Sequence, residues 1–90
     1  MLLIVFDLYS TNTDLCSMDI KLKIGQRIKE LRDKAKMSQK DLAYAADLDR
    51  SYIAGIENGL RNVSIVNIEK IAKALGVSLK ELFNDEQFSL

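Results

Sequence analysis

From Ile24 onward, apolar residues fall on helical periods that are interrupted by short polar segments. Ile24, Ile28, Leu31 and Ala35 recur at alternate spacings of four and three, lining one face of a helix that ends near Lys36. Ser38 then reads as an N-cap, with Asp41 three residues on as its capping-box partner. Leu42, Ala43 and Ala46 form the buried stripe of a second helix only two turns long, which breaks at Ala46-Asp47-Leu48. Asp49 is placed to cap a third helix with Ile53 and Ile56 facing inward, and Asn58-Gly59 ends it with residues that tolerate left-handed dihedrals. After a loop from Leu60 to Val63, Ser64 caps a fourth helix that buries Ile68, Ile71, Ala72 and Leu75 and stops at Gly76. Ser78 and Glu81 make an S-x-x-E capping box for a last short helix through Phe83. The pattern predicts five helices packed in sequence, an all-α fold.

Residues 1–20 show no such period and read as an N-terminal arm or extension, ahead of a helical domain over 21–84 and a tail at 85–90. Leu2–Phe6 is open to two readings, a short strand or an extension upstream of a natural start at Met18. The apolar opening lacks a basic leader and is interrupted at Asp7, so no signal peptide is expected. No stretch approaches the roughly 20 apolar residues that span a bilayer.

Composition narrows the class. Ninety residues, 48% hydrophobic and 29% charged, describe one ordinary globular domain whose small core gains from oligomerisation. Cys16 is the only cysteine, so no disulfide forms within the monomer, which suits a reducing cytoplasm. Net charge is zero, which by itself argues mildly against nucleic acid. Its distribution is uneven: Lys21, Lys23, Arg27, Lys29, Arg32, Lys34, Lys36 and Lys40 face only Glu30 and Asp33. A solvated helix face accounts for that run as well as a binding surface does.

The pair of short helices between Ser38 and Asn58 carries the functional signal. Two helices joined by a three- to four-residue turn cross steeply, which requires small residues where they meet. Ala43 supplies that smallness, and Leu48 and Ile53 fill the wedge. The outer face of the second member then stands clear, in a form that fits a major groove about 12 Å wide.

The segments Ser38-Gln39-Lys40-Asp41-Leu42-Ala43, Leu48-Asp49-Arg50-Ser51-Tyr52-Ile53 and Gly55-Ile56-Glu57-Asn58-Gly59 resemble the Cro/cI-type, XRE-like helix-turn-helix regulators. The similarity runs from about Ile24 to Phe83. Gly59-Leu60-Arg61-Asn62-Val63-Ser64 and Lys70-Ile71-Ala72-Lys73-Ala74-Leu75 extend it toward the controller proteins of restriction–modification systems. Many family members have glycine in the inter-helix turn where this chain has Asp47, a residue that visits the left-handed region at small cost. The resemblance implies a lambda-repressor-like five-helix domain that binds double-stranded operator DNA as a homodimer in the cytoplasm. It requires no cofactor, and a contact with RNA polymerase is a further possible partner.

Gln39 opens its helix, where unpaired amides and the helix dipole attract a phosphate. Arg50 and Ser51 begin the recognition helix, and arginine can grip guanine O6 and N7 together. The plainer role for Arg50 is an ion pair with Asp47 or Asp49. The resemblance places Arg50, Ser51 and Tyr52 against DNA; Tyr52 has packing against the body as its alternative. Tyr44 is a weaker phosphate candidate. Arg61 and Asn62 occupy the loop where the family touches the DNA backbone, and Glu57 suits a structural hydrogen bond or ion pair. The absence of histidine removes the usual general base, and one cysteine cannot build a zinc site, so no enzymatic activity is expected. Two rival readings remain: a phage-type or host repressor, and an antitoxin-like interaction module. Val66, Leu79, Leu82 and Phe83 on the last two helices are candidates for a dimer interface, with some of them needed in the core.

Overall fold

The computed structural model describes residues 20–89. The expected arm with its Leu2–Phe6 alternatives, Cys16, and residue 90 lie outside the described residues. Helix α1 is formed over residues 20–34. It is followed by α2 (Gln39–Ala46), α3 (Arg50–Glu57), α4 (Ile65–Leu75) and α5 (Leu79–Leu82). The all-α expectation holds, with no strand among the described residues. No helix among them is long and apolar enough to cross a membrane.

Four of the helices end in the same way. Lys36, Asp47, Gly59 and Gly76 all have positive φ, between 58° and 77°. At each, the following amide reaches back five residues: Met37 to Arg32 O, Leu48 to Ala43 O, Leu60 to Gly55 O and Val77 to Ala72 O, at 2.9–3.1 Å. This is the Schellman closure, which satisfies carbonyls that a helix end leaves bare. An apolar residue follows each left-handed one, and Met37, Leu48 and Val77 pack onto the core. Leu60 is the exception and remains exposed. Asp47 takes the left-handed conformation the family usually assigns to glycine, as its short polar side chain allows. Lys36 does the same without that advantage, a feature the sequence pattern did not signal.

The helix starts differ in detail from expectation. The full reciprocal box is at Ser38, whose Oγ accepts from the Asp41 amide at 2.9 Å while Asp41 accepts from the Ser38 amide at 3.0 Å. Ser78 makes only one half, accepting from the Glu81 amide at 3.0 Å. Asp49 occupies the cap position of α3, but its side chain makes no capping bond; its backbone carbonyl alone receives the Tyr52 and Ile53 amides. Asn58 stays right-handed at φ −89° and leaves the reversal to Gly59. Ala35, expected on the buried face, is exposed because α1 has already ended and the chain is turning through Lys36. The expected tail holds a 3-10 turn, Glu86–Phe88, whose Phe88 ring meets Phe83 edge-on at 5.3 Å.

Ile28, Leu31, Leu42, Ala43, Ala46, Ile53, Ile56, Ile68, Ile71, Ala72, Leu75 and Leu82 form a single core drawn from all five helices. Ala43 and Ala46 are buried at the crossing of α2 with its neighbours, where a longer side chain would hold the helices apart. Gly25 has the same role in α1: a Cβ there would strike the carbonyl of Ile56 and the backbone of Glu57, so α1 and α3 touch main chain to main chain. Arg27 closes the far end. Its guanidinium, buried, donates from Nε to Leu82 O and from Nη2 to Glu81 O, both at 2.8 Å, capping α5 from α1.

The Ser38–Asp41 box makes stability at the α2 start dependent on acid. Two hydrogen bonds shared with Ser38, backbone first and side chain second, hold the Asp41 carboxyl below its ordinary value. A carboxyl lowered on folding stabilises the fold when ionised. That contribution is complete above the unfolded value of about 3.9 and is lost as pH falls through the lowered folded value. Asp41→Asn is therefore expected to lower the melting temperature at pH 7, with the gap to wild type narrowing below about pH 4. Thermal unfolding across that range checks it, and a gap unchanged by acid contradicts the box.

Candidate nucleic-acid interface

Helix α3 is divided by burial into two faces. Ile53, Ile56 and Glu57 face the body, whereas Arg50 and Ser51 are exposed at its first turn and Tyr52 is half-buried beside them. Arg50 makes no ion pair with Asp47 or Asp49 among the described residues, so the plainer role considered for it is not the one adopted. Its guanidinium stands at the start of the helix with five donors available to a partner.

The position of α3 is fixed by a buried ionic network. Arg32, from α1, meets Glu57 with both carboxylate oxygens engaged, Nε to Oε2 at 2.7 Å and Nη2 to Oε1 at 2.9 Å. The two side chains are only 10% and 2% exposed. Arg32 Nη1 also donates to Met37 O at 2.8 Å, and Gln39 Nε2 donates to Glu57 Oε1 at 3.0 Å. Glu57 thus gathers the end of α1, the start of α2 and the end of α3 onto one carboxylate, while Arg32 also holds the loop after α1. The hydrogen bond to Glu57, ahead of the opposing effect of burial, raises the Arg32 pKa further above an already high value. Glu57 has the structural role expected of it. Gln39, expected at a phosphate, is half-buried and commits one of its two side-chain N–H hydrogens inward, which leaves the other and its backbone amide as donors for a ligand.

Tyr52 and Arg61 are brought together. The Arg61 guanidinium carbon lies 5.1 Å from the centroid of the Tyr52 ring, a cation–π arrangement. The Arg61 stem crosses Gly55, where a Cβ would come within 2.6 Å of Arg61 Cγ. Asn67, on the first turn of α4, donates from Nδ2 to the Tyr52 hydroxyl oxygen at 3.1 Å. Tyr52 is thereby packed and hydrogen-bonded while keeping one edge open. Asn62 is exposed in the same loop as Arg61, and Tyr44 projects from α2 with 89% of its surface exposed. Arg61, Asn62, Val63, Ile20, Lys21, Ile24 and Ile56 line a shallow, mostly apolar cavity of about 180 Å³.

The basic run between Lys21 and Lys40 is not one charged face. Arg27 and Arg32 are interior, and Lys34 approaches Glu30 at 3.9 Å. At the starts of α4 and α5, Ile65 and Val66 are 67% and 60% exposed and Leu79 is 37% exposed. Leu82, considered for an interface, is core, and Phe83 is partly covered, because the short α5 directs both toward the body. Ile65 was not among the expected interface residues, and its place in the first turn of α4 leaves it uncovered.

The helix-turn-helix family model matches residues 28–82, and the chain belongs to this family of transcription regulators. Within it, the chain is 53% identical over 68 residues to the control protein C.MunI from Mycoplasma sp, covering 74% of this chain and 92% of that one. It is 52% identical to the control protein C.BamHI from Bacillus amyloliquefaciens, covering 73% and 83% of the two chains. The fold superposes with a TM-score of 0.68 on the restriction–modification controller protein C.AhdI from Aeromonas hydrophila, at 52% identity over 70% of this chain and 96% of that one. A related controller, C.Esp1396I, 44% identical with a TM-score of 0.67 over 70% of this chain and 83% of that one, has been solved as a tetramer on its natural 35 base-pair operator.

The network around Glu57 predicts a stability defect. Glu57→Ala leaves the buried Arg32 charge without its carboxylate and is expected to cost about 3 kcal/mol in urea unfolding. Replacing both partners with apolar residues, Arg32→Met with Glu57→Leu, is expected to recover most of that loss. A defect under about 1 kcal/mol for Glu57→Ala would mean that water substitutes for the pair.

Proposed function

We propose that this protein is a restriction–modification controller that binds operator DNA as a homodimer through the exposed face of α3. The observation that carries this reading is the free first turn of α3, with Arg50 and Ser51 exposed on a helix whose inner face is anchored by Glu57. Arg50 and Ser51 contact base edges in the major groove, where arginine pairs bidentately with guanine. Tyr52 lies beside them at the rim. The Gln39 start of α2, Tyr44, and the Arg61–Asn62 loop set the register against phosphates. Identity above one half with two control proteins, over 92% and 83% of their lengths, supports the same assignment.

A single α3 reads too few base pairs to define a site in a genome, so two copies are needed. Ile65, Val66 and Leu79 are exposed apolar residues that pairing of two copies would cover. A contact with RNA polymerase falls to exposed surface that the operator leaves uncovered. Catalysis has no place in this reading: the chain has no histidine, and its buried charged groups Arg27, Arg32 and Glu57 are all engaged in internal bonds. The reducing cytoplasm, where operators are found, is its place of action.

Selection of duplexes from a random pool tests the reading. The recovered sites are expected to be two-fold related, with half-site centres about 34 Å, or roughly 10 base pairs, apart or a multiple of that. Arg50→Ala is expected to cost about 1–3 kcal/mol per half-site and to relax the preference at one base pair in each. Asymmetric single sites bound at one chain per duplex, or a uniform loss on all sequences in Arg50→Ala, would refute it.

A further inference from the structure

The hydrogen bond between Asn67 and Tyr52 has a direction, and the direction restricts what Tyr52 can do. Asn67 Nδ2 donates, so the Tyr52 hydroxyl oxygen accepts at 3.1 Å. A phenolic hydroxyl has one hydrogen and acceptor capacity on its oxygen. With an acceptor position taken, its hydrogen remains, and no residue among those described accepts it. Asn67 is itself held: its backbone amide donates to the Ser64 Oγ that caps α4, at 3.1 Å. Above the ring lies the Arg61 guanidinium, which has donors only, and its stem is kept there by the absence of a side chain at Gly55.

We propose that Asn67 is a positioning residue for DNA recognition: it holds the Tyr52 ring and orients its hydroxyl as a donor toward an acceptor on the DNA. This rests on the operator-binding reading above. Tyr52 and Arg61 then present a donor-only edge, matched to guanine O6 and N7, adenine N7, thymine O4 or a phosphate oxygen, and mismatched to the amino groups of cytosine and adenine. The first turn of α4 thus contributes to recognition without touching DNA, and it links the helix bearing Ile65 and Val66 to the helix bearing Arg50.

A double-mutant cycle on the full chain tests this, with binding measured by fluorescence anisotropy on a duplex recovered from the random pool and on a shuffled duplex. Tyr52→Phe is expected to weaken binding about fivefold. Asn67→Ala is expected to weaken it by a similar factor, and the double variant by no more than about twice the larger single loss. Asn67→Asp supplies an acceptor that captures the hydroxyl hydrogen, so it should cost about fivefold more in the wild-type background than in Tyr52→Phe, where only the added charge counts. A loss confined to the recovered duplex assigns the acceptor to a base edge, an equal loss on both assigns it to a phosphate, and either supports the proposal. In the free protein, Tyr52→Phe should shift the side-chain amide protons of Asn67 in the NMR spectrum, while thermal unfolding confirms that the variants are folded. Strictly additive losses, or an Asn67→Asp cost equal in both backgrounds, overturn the proposal while leaving operator binding intact. Failure of the wild-type chain to bind any duplex overturns operator binding itself and this inference with it.

Discussion

The arrangement of the helix pair depends on one buried carboxylate. Glu57 ends α3, and through it Arg32, Gln39 and the Met37 carbonyl are tied into a cluster that joins α1, α2 and α3. Removing two charges from water is costly, and an apolar substitute of the same shape often serves stability as well or better. What an apolar contact lacks is direction. A bidentate pair fixes the guanidinium and the carboxylate in one plane, and the close approach at Gly25 limits the distance between the same two helices. Between them, these contacts leave α3 little freedom to slide or rotate against α1.

That constraint is what frees the other side of α3. Because the inner face carries the anchoring, Arg50 and Ser51 have no internal duty, and their side chains are available to a partner. Charge is divided along the same line. Both arginines in the basic run close the interior, so a net charge of zero describes a chain whose cations are distributed between structure and surface. The overall charge of such a protein says little about whether it meets DNA; the placement of a few exposed donors says more.

Local rules made most of the fold legible. Helix periods, the caps at Ser38, Ser64 and Ser78, and the stops at Asp47, Gly59 and Gly76 depend on residues within five positions of one another, and the structure follows them. Where those rules erred, backbone geometry prevailed over side-chain identity. Asp49 caps with its carbonyl alone, and Lys36 adopts a left-handed turn that nothing in its side chain favours. The contacts that position the site were not legible because they join distant positions. Arg32 and Glu57 are 25 residues apart and Tyr52 and Asn67 are 15 apart, so no spacing rule pairs them. The place of Gln39 at a helix start points it at a phosphate, but its inward bond to Glu57 emerges only when α2 and α3 are packed together.

The central claim is that the outer face of α3, held by Glu57, is the surface that meets DNA. The most direct test is an NMR titration of the isotopically labelled chain with a duplex selected from a random pool, following backbone and arginine side-chain signals together. The account predicts that the largest shifts fall on Arg50, Ser51 and Tyr52, with smaller ones at Gln39, Arg61 and Asn62, while the Arg32 side-chain signals stay in place. Shifts concentrated on α4 and α5, with Arg50 and Ser51 unmoved, would contradict it.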